Sequence, residues 1–163
     1  MSGAKNLASA VLAVCEERGL LLATAESCTG GMIAAALTDI AGSSSVVDRG
    51  FVTYSNAAKT EMLGVQTATL DAHGAVSAET AREMAAGALA RSAAGIAIAV
   101  TGIAGPGGGS AEKPVGLVWF GLALEGHEVV AENRLFTGLD RAGVRAATVD
   151  SALRMVLDAL KAG

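Results

Sequence analysis

The run Ile96-Ala97-Ile98-Ala99-Val100 carries no polar side chain and is entered directly from Gly95. A strand of that composition has no face to offer to water, so it belongs inside a sheet covered on both sides. Leu20-Leu21-Leu22-Ala23 is a second apolar run of the same kind. The segments between them are rich in helix formers: Met32 to Leu37, and an Ala-rich stretch opened by Ser77. Strands alternating with helices and closing in a strand pair give an α/β chain, a three-layer α/β/α sandwich around a mixed β-sheet. Its length of 163 residues suits one domain spanning 1–163. Apolar residues make up 52% but aromatics only 3%, so the core is built from Ala, Val, Leu and Ile, and its elements pack closely.

Taken in order, Leu7, Val11 and Val14 share one face of an amphipathic first helix. Glu16, Glu17 and Arg18 interrupt that helix before Ala23-Thr24-Ala25, so it does not read as a secretory leader, and the expected location is the cytoplasm. Gly42 to Ser45 reads as a loop, and Val46-Val47 with Gly50 to Tyr54 as strand. Asn56 offers an N-cap for a helix through Lys59 and Leu63, stopped by Gly64. A connection carries His73-Gly74-Ala75-Val76. Ser77 then caps a long helix that is expected to run to Gly95. Val115 to Leu124 and Val129 to Phe136 pair as a hairpin across Glu125-Gly126-His127, and the last helix starts near Asp140.

Composition excludes several classes of function. The net charge is −4 with no basic cluster, which argues against a nucleic-acid partner. No apolar run is long enough for a membrane span. Two cysteines, Cys15 and Cys28, make neither a disulfide framework nor a zinc site, and no dense His/Asp/Glu spacing points to a metal.

The stretch Thr24-Ala25-Glu26-Ser27-Cys28-Thr29-Gly30-Gly31 lies where the first strand turns into a helix. The first amides of a helix have no internal partner and can hold an oxyanion or a phosphate, so a Ser there can act as a nucleophile beside its own oxyanion hole. Gly30 and Gly31 add bare backbone that a ligand can approach. Helix capping by Ser27 or Thr29 explains the same residues, although the capping-box partner of Ser27 is missing because Gly30 stands in its place. Cys28 competes with Ser27, since a thiol near a helix N-terminus can have a lowered pKa.

Lys59 is the second anomaly. With Asn56 as N-cap it falls in the first helical turn, where a cation is disfavoured. Turned into a pocket it would lose its proton more easily and could serve a serine as base; turned outward it is a solvated side chain. Tyr54 can hydrogen-bond within such a dyad or sit at a core edge. Of the imidazoles, His127 lies in a hairpin turn and His73 is the one realistic base. The loop Thr101 to Ser110 matches neither a Walker motif nor a dinucleotide fingerprint, yet bare amides at a strand end can cradle an anion. It reads equally as a flexible connection. Arg141 can pair with a phosphate or lie on the surface.

Four motifs in order, Thr24 to Gly31, Tyr54-Ser55-Asn56 with Lys59, Gly74-Ala75-Val76-Ser77, and Thr101 to Pro106 through Lys113-Pro114-Val115-Gly116, resemble the CinA C-terminal domain family over nearly the whole chain. That domain also occurs alone as a nicotinamide-nucleotide amidohydrolase, and the N-terminal domain to which some members are fused is not expected here. The resemblance implies cofactor-free deamidation of a small-molecule nucleotide, nicotinamide mononucleotide. Ser27 would be nucleophile and Lys59 base, with Tyr54 assisting. Thr29, Gly30, Gly31 and Asn56 would bind the substrate, Thr101, Gly102 and Gly105 would line the site, and Arg141 would help hold the nucleotide. Gly138-Leu139-Asp140-Arg141 is one residue longer than the family's Gly-Asp-Arg, which leaves Arg145 as the alternative phosphate partner. A homo-oligomer, taken as a dimer, is implied by the same resemblance. Hydrolysis of another nucleotide-like amide and a non-catalytic nucleotide- or partner-binding domain remain the competing readings.

Overall fold

The computed structural model describes residues 3–162. Alternation along the central strand decides how the layers form. In β3 (Ile96–Gly102), Ile96, Ile98 and Val100 face one side of the sheet, while Ala97 and Ala99 face the other. The bulky side meets α1 (Gly3–Arg18), α2 (Met32–Thr38) and α6 (Arg141–Ala162) through Val11, Cys15, Ile33, Leu37, Leu153 and Val156. The alanine side meets α3 (Asn56–Leu63) and α5 (Ala78–Ala90) through Leu63, Met84, Ala85 and Ala88. The result is the expected three-layer α/β/α sandwich.

The sheet has the order β2-β1-β3-β4-β5. β1 (Leu22–Glu26) lies parallel to both β2 (Val47–Val52) and β3, whereas β4 (Leu117–Leu124) and β5 (Val130–Leu135) add antiparallel steps. From β1 the chain crosses through α2 to β2 on one side, then returns through α3, α4 (Thr67–His73) and α5 to β3 on the other. Strand order therefore reverses between β1 and β3. In open α/β sheets a crevice forms outside the carboxyl ends of the strands at such a reversal.

Several boundaries differ from the sequence reading, each for a physical reason. β1 continues past Ala23 to Glu26, because the buried polar residues Thr24 and Glu26 point into the α2 side, where the Glu26 carboxylate finds three donors. Ser55, not Asn56, caps α3: its side chain accepts from the Ala58 amide. α4 replaces part of the presumed connection, and it buries no residue, so it left no apolar period to read. α5 stops at Ala90 rather than near Gly95, where the Ser92 hydroxyl donates back to the Ala88 carbonyl. Ser43–Ser45 form a short 3-10 turn.

Candidate active site

Strand parity carries past the end of β1. Glu26 faces the α2 side, so the next residue, Ser27, faces the α3 side, and its amide still donates to Val100 O at 3.1 Å as in the ladder. Lys59 comes to meet it from α3. Its Nζ lies 2.9 Å from Ser27 Oγ, 3.0 Å from the Thr53 carbonyl and 3.4 Å from the Tyr54 carbonyl. The lysine is 1% exposed, and among the described residues it pairs with no carboxylate. Burial therefore pushes its pKa below the ordinary lysine value, outweighing the opposite effect of neighbouring Cys28. Cys28 moves the opposite way. Burial raises its thiol to about 11, so it stays protonated at neutral pH, contrary to the depressed value that a helix N-terminus suggested.

The pair opens onto a cavity of about 270 Å³ at the β1/β3 reversal. Ser27, Cys28, Asn56 and Lys59 line it together with Ala75, Val76, Thr101 to Gly105, Gly107, Gly108, Tyr54 and Arg141. Because Ser55 does the capping, Asn56 is left to face the cavity. Thr101 and Gly102 close β3, and the Thr101 hydroxyl donates to Ala75 O at 2.9 Å, which ties these two lining segments together. Arg141 donates to Gly105 O at 2.8 Å and to the Tyr54 hydroxyl at 3.2 Å. Tyr54 thus reaches Lys59 by its carbonyl only; the residue is 63% exposed and its hydroxyl accepts from Arg141 rather than meeting the dyad.

Other candidates lie elsewhere. Thr29, Gly30 and Gly31 do not line the cavity. Thr29 is buried and donates to Glu26 at 2.6 Å, while Gly30 and Gly31, with φ of 58° and 111°, shape the turn into α2. Nor are the first amides of α2 free for a ligand. Ile33 and Ala34 donate to the Glu26 carboxylate at 2.8 and 3.0 Å, so the anion at this helix end is the protein's own. Arg145 is spent on the Cys28 and Thr29 carbonyls, which leaves Arg141 as the arginine at the cavity. His73 sits outside it, beside Glu79 at 3.7 Å, and His127 is exposed in its turn. Glu26 went unread in the sequence, although its place at an even step from Leu22 was a signal that it faces α2. Among the described residues no three His, Cys, Asp or Glu side chains gather as a metal site would need.

Fold and cavity together define an α/β protein with a cavity at the reversal of strand order and a hydrogen-bonded serine–lysine pair lining it. The chain belongs to the CinA C-terminal domain family, whose model matches residues 4–160. It is 56% identical to the nicotinamide-nucleotide amidohydrolase PncC of Enterobacter agglomerans over 133 residues, covering 82% of this chain and 80% of that one. With its Escherichia coli K12 counterpart it shares 53% over 137 residues, covering 84% and 82%. Among solved structures, the competence/damage inducible protein CihA of Agrobacterium tumefaciens superposes with a TM-score of 0.95 at 55% identity, covering 99% of this chain and 97% of that one.

Proposed function

We propose that this chain hydrolyses the carboxamide of nicotinamide mononucleotide to give nicotinate mononucleotide and ammonia, with Ser27 as nucleophile and Lys59 as base. The named amidohydrolase relatives support the reaction. One observation carries the residue roles: a buried lysine without a carboxylate partner, 2.9 Å from a serine hydroxyl that lines the cavity. A neutral amine has two N–H donors and one lone pair. The Thr53 and Tyr54 carbonyls take the donors, and the lone pair is left for the Ser27 O–H.

Ser27 Oγ attacks the amide carbon as its proton passes to Lys59 Nζ. The tetrahedral intermediate collapses when that proton reaches the departing nitrogen, which releases ammonia and leaves an acyl-serine. Water, deprotonated by the same amine, attacks the acyl carbon; the bond to Ser27 Oγ then breaks, Lys59 returns the proton to that oxygen, and the acid leaves. The Ser27 amide is engaged with Val100 O, so the oxyanion is met by other donors of the cavity. Val76, Ile103 and Ala104 give the pyridine ring an apolar wall, and Arg141 with the amides of Gly107 and Gly108 takes the phosphate.

The same reading makes residues 1–163 one catalytic domain that needs no added cofactor. It puts the protein in the cytoplasm, in keeping with two unpaired cysteines; among the described residues no helix is long and apolar enough to cross a membrane. It also makes the protein a homodimer through the outer edge of β5, where Val130 and Leu135 are exposed.

Ammonia release from nicotinamide mononucleotide tests the assignment. Wild type and Cys28→Ala should turn over, while Ser27→Ala and Lys59→Met should lose about a thousandfold or more in kcat. A dead Cys28→Ala beside an active Ser27→Ala would move the nucleophile to the thiol.

A further inference from the structure

The turn that presents Ser27 is closed by short-range backbone hydrogen bonds, but it carries glycines where it enters α2. Two successive glycines of positive φ, Gly30 and Gly31, separate it from α2, and glycine is the residue with most freedom to lose. The Ser27 backbone is tied by its amide to Val100 O and by its carbonyl to the Gly30 amide at 3.0 Å, and the Thr29 carbonyl accepts from the Met32 amide at 3.1 Å. Beyond that, two charged side chains converge on the turn. From inside, one oxygen of Glu26 accepts from Thr29 Oγ1 and the Ile33 amide, and the other accepts from the Ala34 amide. From outside, Arg145 reaches across from α6, with Nε donating to Cys28 O at 3.0 Å and Nη2 to Thr29 O at 3.3 Å.

Among the described residues neither Glu26 nor Arg145 forms an ion pair. A fully buried carboxylate and a half-buried guanidinium are instead spent on one five-residue turn and the helix it enters. Charge-assisted hydrogen bonds are stronger than neutral ones, so this is a costly way to hold a turn that had only to connect two elements. It is a sensible way to hold one whose geometry matters. Arg145 also follows Arg141 by one helical turn, so the first turns of α6 fix the ligand-facing guanidinium and the nucleophile's loop in one rigid frame.

We propose that Glu26 and Arg145 are positioning residues, a clamp that grips the Cys28–Thr29 segment from opposite sides and so sets the Ser27 hydroxyl against Lys59. The inference rests on the serine–lysine reading above. The clamp touches neither substrate nor reacting atoms, and it acts on the rate of the chemical step rather than on binding.

Three variants separate it from the alternatives: Arg145→Met keeps the stem, Arg145→Lys keeps the charge without the fork, and Glu26→Gln keeps the shape without the charge. Because a displacement of about 1 Å can cost on the order of a hundredfold, kcat should fall about ten- to a hundredfold in each. KM should stay within about twofold of wild type, because Arg141 is untouched. The pH midpoint of the rate should not move in the arginine variants, since Lys59 owes its shift to burial and not to Arg145. A rise in KM at constant kcat would make Arg145 a ligand residue and overturn the clamp, as would wild-type values of both. Hydrogen exchange of amides 27–31, read by mass spectrometry on the folded variants, needs no turnover: it should quicken about tenfold or more in Arg145→Met. Unchanged exchange overturns the clamp whatever the activity. A wild type that releases no ammonia while Arg145→Met exchanges faster would instead sink the serine–lysine reading alone.

Discussion

Lys59 is a lysine with nowhere to put a charge, and its consequences can be worked out with sign. Burial lowers its pKa, so it releases its proton below the ordinary value of about 10.4. If the free amine is the base, kcat/KM rises with pH through that lowered pKa and levels off above it; a rate that falls across the window would rule the amine out. In the interval between the lowered value and about 10.4, the unfolded chain binds more protons than the native one, so this group's contribution to stability also rises with pH. Urea unfolding at several pH values should show that slope in wild type and its loss in Lys59→Met. Tyr54 tests a finer point. Its hydroxyl meets Arg141 and not the dyad, so Tyr54→Phe should raise KM a few-fold, by loss of a bond worth about 1 kcal/mol, and leave kcat nearly unchanged. A large fall in kcat at constant KM would return Tyr54 to the dyad.

At the scale of elements, the pair is assembled from two layers. Ser27 is held from the α2/α6 side and Lys59 is delivered by α3 from the other, so their 2.9 Å contact depends on how closely α3 and α5 sit on the sheet. Two glycines set that closeness. A Cβ on Gly121 would lie 2.1 Å from Ala81 O of α5, and one on Gly87 of α5 would lie 1.9 Å from Leu63 O of α3. Gly87→Ala must push α3 away from α5. It should cost about 1–3 kcal/mol or more in stability, read as a lower Tm, and it should lower kcat as well, because Lys59 moves with its helix. Lower stability with an unchanged kcat would show that α3 relaxes without carrying Lys59 along.

Across the whole molecule, what was legible in the sequence is what periodicity and motif encode. Apolar runs announced β1 and β3, and Ser77, the hairpin and the last helix lay close to where they were expected. Ser27, Tyr54, Asn56, Lys59, Thr101, Gly102 and Gly105 were legible residues of the cavity because they stand in recognisable motifs, and Arg141 was legible beside one. Illegible were the features that depend on distant partners. Parity from Leu22 tells which face Glu26 takes but not that its carboxylate is held by amides seven and eight residues on, and nothing near Arg145 says that it turns back on carbonyls 117 and 116 residues earlier. The uneven faces of β3 have a consequence for which changes the protein can tolerate. On the side of Ile96, Ile98 and Val100, bulky neighbours can be exchanged for others of similar volume, and the layer can re-form around them. On the side of Ala97, Ala99, Gly121 and Gly87 there is no volume to trade, and every added methyl group widens the gap that Lys59 spans. Sequence drift should therefore be free on one face of the sheet and nearly frozen on the other, with the distance between serine and lysine guarded by side chains that are missing.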